Sequence, residues 1–321
     1  MESDRMLERV LGEGTLVPGE PVVAMLSGGR DSVCMLDLAV RAAEAAEVVA
    51  LHVNYGLREG SDDDERHCAA LCESLGVVLA VERPRRADGP GNLQAWARDV
   101  RYAAAAALAE ARGATIVTGH TADDQVETIL YRLASSPSRR ALLGMRPRDG
   151  RLVRPLLAFT RAETTAYCEQ RDLAWRDDAS NDGPAYARNR VRHGLLPELA
   201  KVHPAAAANV LRTAGLLRDE AEVLDALVDA ELDGSGGSAP GTVRLERFAE
   251  LPPALQRLVL QRLADVAAGR PVPGAARFAE QVAGLRRTGT AMLDLGRGTR
   301  AIVESGVLRA RKEADGPKTH L

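Results

Sequence analysis

The run Val22-Val23-Ala24-Met25-Leu26 passes directly into Ser27-Gly28-Gly29-Arg30-Asp31-Ser32, and this junction constrains the fold more than any other stretch. Five apolar residues read as a buried strand, and Val33, Leu36 and Val40 follow at helical spacing. A strand, a glycine turn and a helix N-terminus together make a place for an anion. The first N–H groups of the helix lack intrahelical partners, and the positive end of its dipole faces the same way. Gly28 and Gly29 let the backbone approach a phosphate with no Cβ between them. The plainer alternative is an ordinary strand-to-helix turn capped by Ser32.

The chain contains no G-x-x-x-x-G-K-[ST] string, so the loop is not of the Walker type. Its three lysines are Lys201, Lys312 and Lys318. Positive charge for a nucleotide at 27–32 therefore has to come from arginine, a metal ion or a helix dipole. The S-G-G-x-D-S string resembles the PP-loop of ATP pyrophosphatases, which cleave ATP between the α- and β-phosphates and leave AMP on the substrate.

Further strands are expected at 48–53, 77–81 and 114–118, separated by helices over 30–46, from 61 onward and over 92–112. Another helix is expected over 161–172. This alternation predicts right-handed βαβ units and a parallel sheet with helices on both faces. Ligands in such sheets bind at the carboxyl ends of the strands. The polar run 119–128 emerges at one such end and opens a helix, with Asp123 and Glu127 four apart on one face. Acids there hold Mg²⁺, take a proton or bind an ammonium group, unless they only complement the helix dipole. His120 alone reads as a hydrogen-bonded structural histidine, and the acids at 62–65 as helix capping. Arg98 and Arg101 share one face of an alanine-rich helix. The arginines at 188, 190 and 192 do not share a helical face, so that run wraps a ligand or bridges two surfaces.

The organisation expected is an α/β catalytic domain over 1–200, a linker helix over 201–232 and a small α+β C-terminal module over 233–321. The module opens on the Gly/Ser run 233–238. It carries a strand at 243–245, helices at 253–268 and 275–287, and a hairpin pairing 291–295 with 300–303. No catalytic constellation occurs in it, and the polar tail from about 313 reads as disordered.

Aromatics make up only 3% of the chain, so the core rests on Ala, Leu and Val. No apolar run reaches the ~18 residues that span a membrane, and residues 1–7 carry acids and no secretory core, which predicts a cytoplasmic protein. Cys34, Cys68, Cys72 and Cys168 form no C-x-x-C pair and read as buried thiols, which counts against Fe–S or persulfide chemistry. Net charge is −3, yet Arg132–Arg161 holds eight arginines and one acid, Asp149. A basic patch on an acidic chain is what a polyanion site looks like in sequence, or else a solvated arginine-rich face.

Taken together, seven strings resemble the tRNA(Ile)-lysidine synthetase family. They are the loop at 27–32, H-V-N-Y-G-L-R at 52–58, A-R-D-V-R-Y at 97–102, G-H-T-A-D-D-Q-V-E-T at 119–128, R-P-L-L at 154–157, D-D-A-S-N at 177–181 and R-N-R-V-R at 188–192. The resemblance implies a PP-loop (adenine nucleotide alpha hydrolase-like) fold and modification of the wobble cytidine of the CAU anticodon in tRNA(Ile). ATP adenylates the oxygen on carbon 2 of the base, releasing pyrophosphate. The amine of free L-lysine then attacks carbon 2 and expels AMP, so the tRNA reads AUA instead of AUG.

By the same resemblance Ser27, Gly28, Gly29, Arg30, Asp31 and Ser32 hold ATP, with Asp31 helping to place Mg²⁺. Asp31, Arg98 and Asp123 are the catalytic candidates, and Arg101 joins Arg98 in neutralising phosphate charge. Asp123, Asp124 and Glu127 are candidates for lysine or Mg²⁺. Arg139, Arg140, Arg154, Arg188, Arg190 and Arg192 are candidates for tRNA contacts. Two departures stand out: Tyr55 where the family often has histidine, and a divergent stretch at 134–140. The chain ends after one small module, as shorter members do, and a homodimer is left open. The alternatives are a PP-loop tRNA 2-thiolase, which needs cysteine chemistry, and a non-catalytic tRNA- or ATP-binding relic, which the intact Ser27, Asp31, Asp123 and Asp124 argue against.

Overall fold

A computed structural model describes residues 2–57, 59–85, 92–135, 139–176, 187–234 and 239–313. Arg58, residues 136–138 of the divergent stretch, the D-D-A-S-N string, Tyr186, most of the Gly/Ser run and the tail lie outside the described residues, as do the side chains of Arg139 and Arg140. Two compact units divide the chain, residues 1–215 and 216–321.

The first unit runs α1 (Glu2–Gly12), β1 (Val22–Met25), α2 (Arg30–Ala43), β2 (Val48–Val53), α3 (Ser61–Leu75), β3 (Val78–Glu82), α4 (Leu93–Arg112), β4 (Thr115–Val117) and α5 (Ala122–Ser135). After these come α6 (Arg139–Leu143), β5 (Arg148–Asp149), β6 (Leu152–Val153), α7 (Arg161–Gln170), α8 (Ala187–Arg190) and α9 (Leu196–Val202). The helix α10 (Ala206–Leu232) carries the division between the units. Among the described residues the first sheet has the order β3-β2-β1-β4-β6-β5, parallel except for the β5–β6 hairpin.

Alternate residues of β1 feed opposite faces of this sheet. Val22 and Ala24 join Leu36, Leu38, Cys72 and Tyr167 in one core, built from α1, α2, α3 and α7. Val23 and Met25 join Leu51, Ile116, Ala105 and Ala109 in the other, under α4. That is the period-two signature of a strand buried on both sides. The small Ala105 and Ala109 let α4 lie close to the sheet, and Asn92 caps its start by accepting from the N–H groups of Gln94 and Ala95. All four cysteines are buried, and burial pushes Cys68 up to about 12 and Cys72 to about 11.

The second unit holds β7 (Val243–Arg244), α11 (Leu245–Glu250), α12 (Pro253–Ala268), α13 (Ala279–Ala283), β8 (Thr290–Gly296), β9 (Thr299–Glu304) and β10 (Val307–Lys312). Its sheet is antiparallel, in the order β7-β10-β9-β8, with Phe248, Leu260, Val303 and Leu308 in its core. Here the structure corrects the sequence reading. The expected helix over 275–287 is a 3-10 turn, Ala275–Phe278, followed by the short α13. The hairpin gains a third strand, β10, and α11 starts where the strand was expected to continue.

Candidate active site

Strand order reverses between β1 and β4, which places a crevice outside their carboxyl ends. The end of β1 is the loop Ser27–Gly29. Gly28 adopts φ +85°, the left-handed region that favours glycine, and the N–H of Arg176 donates to its carbonyl at 3.0 Å. Gly29 has ordinary φ and serves as the N-cap of α2, so the turn is capped by backbone rather than by Ser32. The Ser32 hydroxyl instead closes the loop, donating to the Gly29 carbonyl at 2.7 Å and accepting the Ser27 N–H at 3.2 Å. Ser27 and Ser32 hydroxyls are 3.0 Å apart. The N–H groups of Arg30 and Asp31 lie in the first turn of α2, where the helix itself provides no partner for them.

The end of β4 touches the same loop through backbone. A Cβ on Gly119 would lie 2.8 Å from the Asp31 carbonyl oxygen and 3.0 Å from the Ser32 nitrogen, so only glycine lets the two strand ends meet. The α5 helix then begins. Thr121 and Asp124 cap its start, with the Thr121 N–H and hydroxyl both donating to Asp124 Oδ2 at 2.9 and 3.1 Å. Asp123 turns to a second helix start, accepting the Arg161 N–H of α7 at 2.8 Å. Glu127 is buried and held by two arginines: Arg192 donates to both its oxygens at 2.7 and 3.2 Å, and Arg161 to one at 3.1 Å. Asp123 and Glu127, on one face by spacing, thus have different surroundings.

Arg161 is the hub of this arrangement. Its guanidinium reaches Asp124 at 2.5 Å, Glu127 at 3.1 Å and Asp31 at 3.9 Å. Burial would raise the Asp124 carboxyl, but Arg161 and Thr121 outweigh it and hold the group below the ordinary carboxylate range. Asp31 also accepts from Thr164 at 2.6 Å and from Arg30 at 3.1 Å, which ties α2 to α7 beneath the loop. Sequence reading missed Arg161, Thr164 and Gly119. Arg161 was visible only as the last cation of a basic segment, and Thr164 carried no signal at all.

His120 bonds Thr118 through Nδ1 at 2.8 Å. Burial lowers it to about 4; Asp124 opposes this, while Arg154, Arg188 and Arg101 reinforce it. The ring is therefore neutral near pH 7. Arg154 is buried at the end of β6, whereas Arg188 and Arg190 on α8 are exposed and Arg192, on a π-helical turn, faces inward to Glu127. Arg98 is exposed and Arg101 partly buried, their guanidinium carbons 4.5 and 5.8 Å from the Tyr102 ring centre. Tyr55, the departure from the family pattern, pins the start of α4 by donating its hydroxyl to the Ala97 carbonyl at 2.7 Å.

The loop fits a nucleotide's phosphates, since it offers hydroxyls, helix N–H groups and a glycine-shaped turn. For Mg²⁺ the fit is of one kind only. Among the described residues no group of three His, Cys, Asp or Glu could hold a metal ion, so the ion would come as a chelate of the phosphates with Asp31 as a protein ligand.

The chain is 40% identical over 276 residues to the tRNA(Ile)-lysidine synthase of Thermus thermophilus, covering 84% of this chain and 53% of that protein. Proteins of the same name from Methylococcus capsulatus and Pseudomonas aeruginosa are each 38% identical, covering 77% and 76% of this chain and 58% and 55% of theirs. The chain thus spans little more than half the length of these relatives. Among solved structures, the U34-tRNA thiolase NcsA from Methanococcus maripaludis, with its [4Fe-4S] cluster, superposes with a TM-score of 0.56 at 20% identity, over 68% of this chain and 78% of that one. That likeness concerns the fold. The PP-loop domain profile matches residues 2–199, the stretch that builds both strand ends, and the chain belongs to the PP-loop domain family.

Proposed function

We propose that this chain joins free L-lysine to carbon 2 of the wobble cytidine of tRNA(Ile) with a CAU anticodon, consuming ATP and releasing pyrophosphate and AMP. The observation that carries this reading is the juxtaposition of two unlike strand ends, a lysine-free phosphate loop after β1 and an arginine-held acidic helix start after β4. The names of the curated relatives support it.

The cytidine O2 attacks the α-phosphorus, and the bond to the bridging oxygen breaks toward pyrophosphate. Ser27, Ser32 and the first N–H groups of α2 receive the negative charge that develops there. Mg²⁺, when bound with the nucleotide and Asp31, supplies further neutralisation of phosphate charge. Free lysine is a zwitterion with a second ammonium group, and the β4 end offers both signs of charge. Asp123 and Asp124 suit an ammonium group, and Arg192 suits the carboxylate once it turns from Glu127. The side-chain amine has a pKa near ~10.4, so it must shed a proton before attacking carbon 2, and Asp123 is our candidate acceptor. Attack forms the C–N bond and breaks the C2–O bond, so that AMP leaves.

Residues 1–200 would carry the chemistry, α10 would set a distance, and the module after 233 would select the tRNA. Arg139, Arg140, Arg154, Arg188 and Arg190 would meet RNA phosphates. The cytoplasm is the compartment where these substrates meet, and sedimentation velocity would reveal a homodimer. Buried cysteines leave the 2-thiolase reading without a reactive thiol among the described residues.

Radiolabelled lysine, ATP and a CAU-anticodon transcript, incubated with the protein, test the reading. We expect label on the RNA that depends on ATP. Asp123→Asn keeps an acceptor oxygen for the Arg161 N–H, and it should release pyrophosphate while losing lysine transfer. Transfer at the normal rate would remove Asp123 from the lysine step, and no label with the unaltered protein would refute the function.

A further inference from the structure

Unlike Arg161 and Arg192, the arginines at 98, 101, 132, 154 and 188 near the β4 end make no ion pair with an acid among the described residues. Arg154 is fixed by backbone, its N–H donating to Pro147 at 2.8 Å and its Nη1 to the Arg146 carbonyl at 2.6 Å. Its Nε is buried with no hydrogen-bond partner, and so is that of Arg101. The Thr118 N–H donates to Val153 at 3.1 Å, which seats Arg154 beside the Thr118–His120 turn. Arg132 is anchored on the Gly144 carbonyl at 2.7 Å, and α8, which bears Arg188, packs against the same helix, α5. Burial and mutual repulsion with Arg188, Arg154 and Arg98 all press the Arg132 guanidinium toward losing its proton. Of the nearby acids, Asp124 is engaged by Arg161 and Thr121, and Asp149 lies on the exposed β5.

Guanidinium groups gathered in this way, two of them with an unused buried N–H, lower each other's stability unless an anion joins them. We propose that Arg98, Arg101, Arg132, Arg154 and Arg188 form one phosphate-binding site, and that its occupant is a backbone phosphate of the RNA next to the target base. The inference rests on the tRNA-modifying reading above, adds Arg132 to it, and gives Arg98 and Arg101, which the resemblance set against the nucleotide's phosphate charge, to the RNA instead. Two observations favour RNA over the nucleotide's own phosphates. The cluster runs from exposed Arg98 and Arg188 inward to buried Arg154, the path of a chain entering from solvent. Tyr102 carries Arg98 over its ring with Arg101 close by, and an aromatic ring interleaved with arginines suits a single RNA strand.

The test uses the full-length protein and a fluorescent anticodon stem-loop RNA with a CAU loop, titrated by anisotropy at several salt concentrations. Inorganic pyrophosphate binding is measured in parallel by calorimetry. Arg132→Gln and Arg98→Gln should each weaken RNA binding about fivefold and reduce the salt slope by about one, while pyrophosphate affinity stays unchanged. Arg98 is exposed, so its variant reports even if Arg132→Gln unfolds. Unchanged RNA affinity and slope in a folded Arg98→Gln protein would overturn the site. Weakened pyrophosphate binding with RNA binding intact would overturn the RNA assignment and give the cluster to ATP. If the unaltered protein binds no RNA, the tRNA reading itself fails, a different result from either.

Discussion

The two strand ends that meet at the crevice are built on opposite principles. After β1 the chain offers hydroxyls, backbone N–H groups and a single carboxylate, Asp31, held by neighbours on α2 and α7. After β4 it offers three carboxylates, two of them locked to Arg161 and Arg192 and the third capping α7. The first end, its loop closed by its own hydroxyls and backbone, is shaped to receive charge. The second supplies its own counter-ions, so it is structural until a ligand exchanges for one of them. Carboxylates at a strand's carboxyl end therefore take no role from spacing alone. Their partners decide it.

If this contrast holds, mutations at the two ends should separate activity from stability. The largest expected effect is Asp31→Ala, with turnover falling about a thousandfold. Thr164 retains the Arg161 carbonyl as a partner, so the melting temperature should shift only slightly. A large loss of stability there would erase the distinction, and a calorimetric scan beside the rate assay decides. Next in size is Glu127→Gln, which leaves Arg192 and Arg161 facing a neutral group. Breaking a buried pair costs about 3–5 kcal/mol, and the partial exposure of Arg192 brings the expectation to about 2–3 kcal/mol in denaturant unfolding. A variant as stable as the parent would show the carboxylate to be unlatched and free for ligand.

Much of this geometry could be read from residue order, and the boundary is physical. The β1 loop, α2 and the capped α5 are local events, in which apolar period, glycine and capping residue lie within a dozen positions. The pairing of Glu127 with Arg192 spans 65 residues and that of Asp124 with Arg161 spans 37, so no local pattern reports it. The odd spacing of Arg188, Arg190 and Arg192 leaves open a wrapped ligand or a bridge between two surfaces, and in the structure Arg192 reaches across to Glu127 on α5. Two-residue strands such as β5 and β6 lack the length to show a period, so the hairpin that positions Arg154 went unseen. In the second unit, β10 alternates too weakly to stand out, with only Leu308 fully buried.

Smaller effects sharpen the contrast further. His120 has an ordinary value of 6.5 and is lowered to about 4 by burial first, with the neighbouring arginines assisting. The folded protein therefore binds fewer protons than the unfolded chain between these values. Stability from this group is complete above pH 6.5 and is lost as pH falls toward 4. Asp124, also depressed, adds a loss at still lower pH. His120→Gln should flatten the upper part of the pH–stability curve, and an unchanged curve would place the proton uptake elsewhere. The smallest effect belongs to Tyr55→Phe, which removes one hydrogen bond to the start of α4 and should cost about 1 kcal/mol. The edge-to-face contact with Trp96, ring centres 5.7 Å apart, would remain. A loss several times larger would mean that Tyr55 does more than position α4.

In the proposed function the lysine-free loop after β1 handles a pyrophosphate leaving group while the β4 end presents the lysine. Product analysis with ATP labelled separately in the α- and γ-phosphates addresses it directly, in the presence of CAU-anticodon tRNA with and without lysine. AMP and pyrophosphate are the expected products, with AMP release dependent on lysine and no ADP. Stoichiometric ADP and inorganic phosphate would contradict that function.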